Sequence, residues 1–196
     1  MRLMQTIGIY LFDRFEELDA VGPWEVLSAW TLEHPGDGWQ VQLIADDLAP
    51  ITAAKGMAVV PHATRDIDLD IVLVPGGVGT RTVMTDASVL GWLRGLHAAG
   101  HLVTSVCTGA LVLAAAGLLR GRPATTYHQS FDDLEAIEPT VASRRDVRWV
   151  DDGDIVTSAG VSAGIDMALH LVSRLVSVER ARSVRDLIEY HPDPPV

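Results

Sequence analysis

Cys107 is the only cysteine in the chain, and it stands inside the run SVCTGALVLAAAGLL. A lone sulfur in an apolar stretch is commonly a small, inert, buried hydrophobe. Its neighbours point elsewhere. Small residues, Ser105 and Gly109, flank it two positions before and two after, between an apolar strand-like run and an apolar helical one. A sharp strand-to-helix turn, the nucleophile elbow, requires small residues there and presents the middle side chain to a substrate. The match is imperfect, because Ser105 stands where hydrolase elbows carry glycine. Such a turn also sets the sulfur at a helix N-terminus, where unsatisfied N–H groups and the macrodipole favour an anion. A free thiol titrates near 8.5, so a fall of about two units makes it mostly thiolate at neutral pH. Gly76 and Gly77 follow another apolar run and add backbone N–H donors, each worth about 3–4 kcal/mol when aimed at an anionic intermediate. A plain tight turn is the other reading of that pair.

No partner for the sulfur is obvious. The seven histidines (His34, His62, His97, His101, His128, His170 and His191) are scattered, and none adjoins Cys107. His101 falls at the start of the strand that ends at the cysteine, hence at the far end of a sheet; His128 stays open. Neither a His-Glu-x-x-His helix nor Cys/His ligand spacing occurs, so no metal or cofactor is called for. Four acids, Asp13, Glu16, Glu17 and Asp19, lie just after the first strand, and their types alone do not rank them. Any of them also serves as a helix cap or a surface charge.

The elements that must position these groups are legible. Ile7–Phe12 and Asp70–Val74 are nearly continuous apolar runs, as expected of strands covered on both faces, and His101–Val106 is a third buried-strand candidate. Trp39–Ala45 alternates as a strand, and residues 50–62 read as short extended pieces. Helices are expected from the Pro23 segment, from Thr80 to Ala99, from Cys107 to Leu119, from Gly164 to Leu175, and to about Glu189. Arg144–Ser158 reads as a hairpin about an Asp-Asp-Gly turn. Strands alternating with helices predict an α/β fold with a mostly parallel sheet, in a single domain spanning residues 1–196. In such a sheet ligands bind outside the carboxyl ends of the strands. Phe12-Asp13, Pro75–Gly77 and Val106-Cys107 are three such ends.

Composition narrows the function. The 196 residues are 48% hydrophobic and 21% charged, as in an ordinary globular chain. Twenty-six acidic against fifteen basic residues give a net charge of −11, which disfavours nucleic acid and anionic membranes as partners. The N-terminus reads as a first strand and not as a signal peptide. The longest apolar stretch, residues 111–119, falls short of the roughly 20 residues of a membrane span. A soluble cytoplasmic protein is expected.

SVCTGALVLAAAGLLRGRPATT, IVLVPGG, EELDAVGPWEVL, TSAGVSAGIDMALHL and the ending IEYHPDPP together resemble the ThiJ/PfpI superfamily, most closely its isonitrile hydratases. The resemblance covers nearly the whole chain. It implies a flavodoxin-like, class I glutamine-amidotransferase-like three-layer sandwich, and a homodimer with its site near the interface. It implies Cys107 as nucleophile, Asp19 as the partnering carboxyl, Thr108 assisting, and Gly76 and Gly77 framing an anion pocket. A thiolate and a carboxylate a few ångströms apart repel, so one of them keeps a proton; with the sulfur stabilised by a helix end, Asp19 is the expected holder. The implied activity is hydration of a small electrophile, an isonitrile, to an N-substituted formamide. Protease-like members carry histidine after the cysteine, and Thr108 here removes that dyad. Many relatives read Thr-Thr-His where this chain has Thr125-Thr126-Tyr127, so Tyr127 becomes a hydrogen-bond donor candidate in the substrate pocket. Trp24, Trp30 and Met57 are candidates for an apolar pocket wall or for the core, and Asp166 for a structural acid. AraC-type regulators carry similar wording around the cysteine, so a ligand- or redox-sensing module is the rival reading; an enzyme for another electrophile, such as a glyoxal, is the third.

Overall fold

The structure, a computed structural model, describes residues 4–192. Met1–Leu3 at the start and Asp193–Val196 at the end, which take in the last three residues of the IEYHPDPP stretch, lie outside the described residues. Along the chain, β1 (Gln5–Tyr10) leads into α1 (Glu17–Glu33), a 3-10 turn at Pro35–Asp37, and β2 (Trp39–Ala45). The short strands β3 (Ile51–Thr52), β4 (Ala58–Val59) and β5 (Ala63–Thr64) precede β6 (Ile71–Val74). Helices α2 (Thr80–Val83) and α3 (Ala87–Ala98) lead to β7 (Leu102–Val106) and α4 (Gly109–Ala115). Then come β8 (Pro123–Ala124), α5 (Phe131–Ile137), β9 (Ala142–Ser143) and the hairpin of β10 (Trp149–Asp151) and β11 (Ile155–Ser158), followed by α6 (Ala163–Leu175) and α7 (Val178–Leu187).

The main sheet runs β10-β11-β7-β6-β1-β2-β5. Every neighbouring pair in it is parallel except the β10–β11 hairpin. With the short edge strands β5 and β10 set aside, this is the 2-1-3-4-5 order of flavodoxin-like sheets. The chain leaves β1 toward β2 on one side and returns as β6 on the other, so the switch point lies between β1 and β6. Helices α1, α6 and α7 pack together, while α3, α4 and α5 form a second group. The result is the expected α/β sandwich. Burial explains the apolar runs: all four residues of β6 and all four of β11 are inaccessible to water.

Several boundaries differ from expectation for local reasons. The helix expected over Thr80–Ala99 is broken, because the Asp86 carboxylate accepts the N–H groups of Ser88 and Val89 and starts α3 afresh. α1 begins at Glu17, so Pro23 is interior and not in the first turn. Its missing N–H would have bonded the carbonyl of Asp19, four residues earlier. Pro23 instead packs on α6, where a Cβ at Gly164 would sit 3.2 Å from its ring. α5 carries no periodic sequence signal: only Phe131 and Leu134 of its seven residues are buried, too few for a period to register.

Candidate active site

β1, β6 and β7 are adjacent and parallel, so their carboxyl ends open on one place. The turns after them interlock at backbone distance. A Cβ at Gly76 would lie 2.6 Å from the Thr108 nitrogen and 2.7 Å from Asp19 Oδ2, and one at Gly109 only 2.2 Å from the Val74 carbonyl oxygen. Glycine is therefore required at both positions for the turn after β7 to seat against the turn after β6.

Cys107 occupies that seat with a φ of 58°, in the left-handed region that L-residues avoid. Surrounding bonds hold it there. Its N–H donates to the carbonyls of Ser158 (3.1 Å) and Ala159 (3.2 Å), and its carbonyl accepts from Thr126 Oγ1 at 2.9 Å. Backbone strain of this kind costs about 1–3 kcal/mol and persists only where neighbours over-determine it. Across from the sulfur, Val161 has a φ of 50°, a more severe departure for a β-branched residue. Its N–H is thereby turned toward both Cys107 and Asp19.

Asp19, in the first turn of α1, has no accessible surface. Its Oδ2 accepts the Gly76 N–H at 2.9 Å, while Oδ1 is buried with no partner at ordinary hydrogen-bond distance. The carboxyl interacts with the Cys107 thiol and the Val161 N–H. Burial pushes its pKa up to about 7; the Gly76 N–H opposes the rise and the nearby Glu16 charge adds to it. Burial likewise pushes the Cys107 thiol up to about 12, assisted by the Asp19 charge and opposed by the N–H groups of Thr108 and Val161. The expected fall of the thiol pKa at a helix end is thus reversed. With Cys107 only 5% exposed, loss of water outweighs two N–H donors. Between the two steps the pair holds one proton.

A cavity of about 470 Å³ opens on the sulfur, walled by Glu16, Gly77, Val78, Arg81, Thr108, Tyr127, Gln129, Ser130, Asp133 and Val161. The DJ-1/PfpI family profile matches residues 5–174, which takes in every one of these groups. The chain belongs to the DJ-1/PfpI family. It is 41% identical over 191 residues to the isonitrile hydratase of Pseudomonas putida, covering 96% of this chain and 80% of that one. It is 28% identical to the HTH-type transcriptional regulator GbdR of Pseudomonas aeruginosa, over 95% of this chain but 51% of the regulator. A ThiJ/PfpI family protein from Pseudomonas syringae superposes with a TM-score of 0.85 at 33% identity, over 98% of this chain and 78% of that one. Drosophila melanogaster DJ-1beta shares the fold, with a TM-score of 0.83 at 20% identity over 96% and 99% of the two chains.

Within this DJ-1/PfpI site some sequence candidates converge and others do not. Cys107, Asp19, Thr108, Gly76, Gly77 and Tyr127 do meet around one place. The N–H groups of Gly76 and Gly77 are not free for an anion, however: they are bonded to Asp19 Oδ2 and, at 2.9 Å, to Thr108 Oγ1. The Thr108 hydroxyl is accordingly turned to the Gly77 loop, and it is the Thr108 N–H that faces the sulfur. Tyr127 lines the cavity, its ring edge-on to His128 at 4.4 Å and lying where a Cβ on Gly160 would fall. His128 is exposed and outside the cavity lining. His97 and His170 are paired with Asp154 and Asp151, and His101 sits at the other end of β7.

Among the four acids, Glu16 and Glu17 are engaged by Lys55, and Asp13 faces a separate, smaller cavity. Only Asp19 is buried against the sulfur. Trp24, Trp30 and Met57 do not line the cavity: Trp30 is in the core, Trp24 packs on His62, and Met57 is exposed. Asp166 is an anchor for Arg148 and Tyr190. The sequence reading missed Val161 and Arg81. Nothing local marks a valine whose strain is imposed by the contacts around it.

Proposed function

We propose that this chain hydrates isonitriles to N-substituted formamides through a covalent intermediate on Cys107, with Asp19 moving the protons. The observation that carries the reading is the buried Asp19 carboxyl, one oxygen held by Gly76 and the other unpartnered, against the only thiol. The 41% identity to a named isonitrile hydratase supplies the substrate class. The turn at Cys107 acts as a nucleophile elbow.

The one-proton pair runs the cycle without other groups. Asp19 takes the thiol proton, leaving thiolate beside the N–H groups of Thr108 and Val161. The thiolate attacks the terminal carbon of R–N≡C, forming the C–S bond, and Asp19 returns its proton to that carbon. The product is the thioimidate R–N=CH–S. Asp19, again ionised, takes a proton from water as the water oxygen bonds to carbon, and passes that proton to nitrogen. It then takes the hydroxyl proton as the C–S bond breaks, releasing R–NH–CHO and restoring the thiolate–acid pair. The net reaction adds one water. Thr108 holds the Gly77 loop in place, and Tyr127 forms a wall of the substrate cavity.

A redox-sensing role fits less well, because sensor cysteines are exposed and acidic, whereas Cys107 is buried and its pKa raised. A homodimer in the cytoplasm, acting on a small-molecule electrophile, completes the reading. The test mixes the protein with an alkyl isonitrile and follows N-formamide by chromatography, with Cys107→Ala as blank. Formamide from the intact protein alone supports hydration. Its absence with Cys107 verified as reduced, or its formation by the blank, refutes it.

A further inference from the structure

The cavity over Cys107 is not the apolar slot that a plain hydrocarbon substituent would fit. Val78, Val161 and the Tyr127 ring supply its apolar surface, and most of the rest is polar or charged. Arg81 is the only cationic residue in that lining.

Its guanidinium is held at two points. Nη1 donates to Thr80 Oγ1 at 3.1 Å, and Thr80, wholly buried, donates to the Gly77 carbonyl at 2.7 Å. The arginine is thus tied to the Gly77 loop, whose N–H in turn donates to Thr108 Oγ1 beside Cys107. On its other side Nη2 donates to Asp133 Oδ2 at 2.8 Å. These two attachments differ in kind. Thr80 is fixed by the fold, whereas Asp133 is 56% exposed on α5 and can turn to water when another acceptor arrives. Exposed pairs of this sort contribute little net attraction. The remaining carboxylate of the lining, Glu16, is already engaged by Lys55.

We propose that Arg81 is a specificity residue that binds a carboxylate on the substrate's substituent, displacing Asp133, so that the preferred substrates are isonitriles bearing a carboxylate. The assignment rests on the hydratase reading above. When Asp133 turns away, Arg81 Nη2 is left to donate to a substrate carboxylate oxygen, and the planar guanidinium is suited to carboxylates where Lys is not.

The test compares three isonitriles of equal chain length, ending in methyl, carboxylate or ammonium, on the wild-type protein and on Arg81→Gln and Arg81→Lys. Wild type is expected to favour the carboxylate over the methyl compound by about 10- to 100-fold in kcat/KM, chiefly through KM, as charge-assisted hydrogen bonds at a partly wet site allow. Salt shrinks that preference. Arg81→Gln brings the ratio near one, and Arg81→Lys restores only part of it. As a readout apart from turnover, the carboxylate-bearing formamide should bind Cys107→Ala by calorimetry, and bind at least tenfold more weakly once Arg81→Gln is added. An equal rate for the three compounds, a preference for ammonium, or a carboxylate preference that survives Arg81→Gln overturns the assignment while leaving hydration intact. Turnover of none of the three refutes the hydratase reading itself, and the assignment with it.

Discussion

Replacing Asp19 by Asn should move two properties of Cys107 in opposite directions. The side chain keeps its shape, and its oxygen can still accept the Gly76 N–H that Oδ2 now accepts at 2.9 Å. What disappears is a charge beside the sulfur and a group able to give and take a proton. The thiol stands at about 12 first because it is buried and next because the Asp19 charge opposes its ionisation. Burial remains in the variant and the charge does not, so the thiol pKa falls. Each unit of that fall raises the thiolate fraction at pH 8 about tenfold. Alkylation by iodoacetamide at that pH should therefore accelerate by about tenfold or more. Turnover should drop, because a positioned acid–base group contributes about 10²–10⁴-fold. The same substitution has a stability signature. A carboxyl whose folded pKa is about 7, raised from its ordinary 3.8, binds more protons folded than unfolded between those values. Wild-type stability therefore decreases as pH rises from about 4 to 7 on this account, and Asp19→Asn removes that slope, gaining stability relative to wild type at pH 8. Alkylation rates, formamide production and urea midpoints at pH 4 and 8 measure all three. Unchanged turnover, or a thiol no more reactive than in wild type, would refute the reasoning.

Three further outcomes follow from the geometry. Cys107→Ala and Cys107→Ser should abolish turnover with the fold retained, checked by circular dichroism beside the formamide assay. The wild-type kcat/KM should rise with pH through a midpoint near 7, as the pair passes from two protons to the one-proton state, and this midpoint should vanish in Asp19→Asn. Gly160→Ala should push the Tyr127 ring, whose Cδ2 would lie 2.4 Å from the new Cβ, and so raise KM several-fold while costing about 1–3 kcal/mol of stability by overpacking.

What could be read from the sequence was what short stretches encode. β6 announces itself because a strand covered on both faces is apolar throughout, β7 less so because Thr104 and Ser105 interrupt its run, and small residues about Cys107 mark a turn that larger ones would block. The acid could not be found that way. Asp13, Glu16, Glu17 and Asp19 differ only in where α1 begins and which of its faces is buried, and the resemblance, not the residues, singled out Asp19. The direction of the thiol shift also failed locally. A helix end is visible in sequence, whereas the packing that buries Cys107 is not. The same holds for the N–H groups of Gly76 and Gly77, which look free until Asp19 and Thr108 arrive from distant parts of the chain. Val161 is the extreme case: no sequence signal marks a valine with a positive φ after β11 whose N–H is directed at that pair.

The most direct measurement is rapid-quench mass spectrometry of the protein mixed with a stoichiometric alkyl isonitrile. A mass increase equal to the isonitrile, on the peptide containing Cys107, should appear and then decay as formamide accumulates. Formamide formed at full rate with no such adduct at any time, or with the added mass on another residue, would contradict covalent hydration on Cys107.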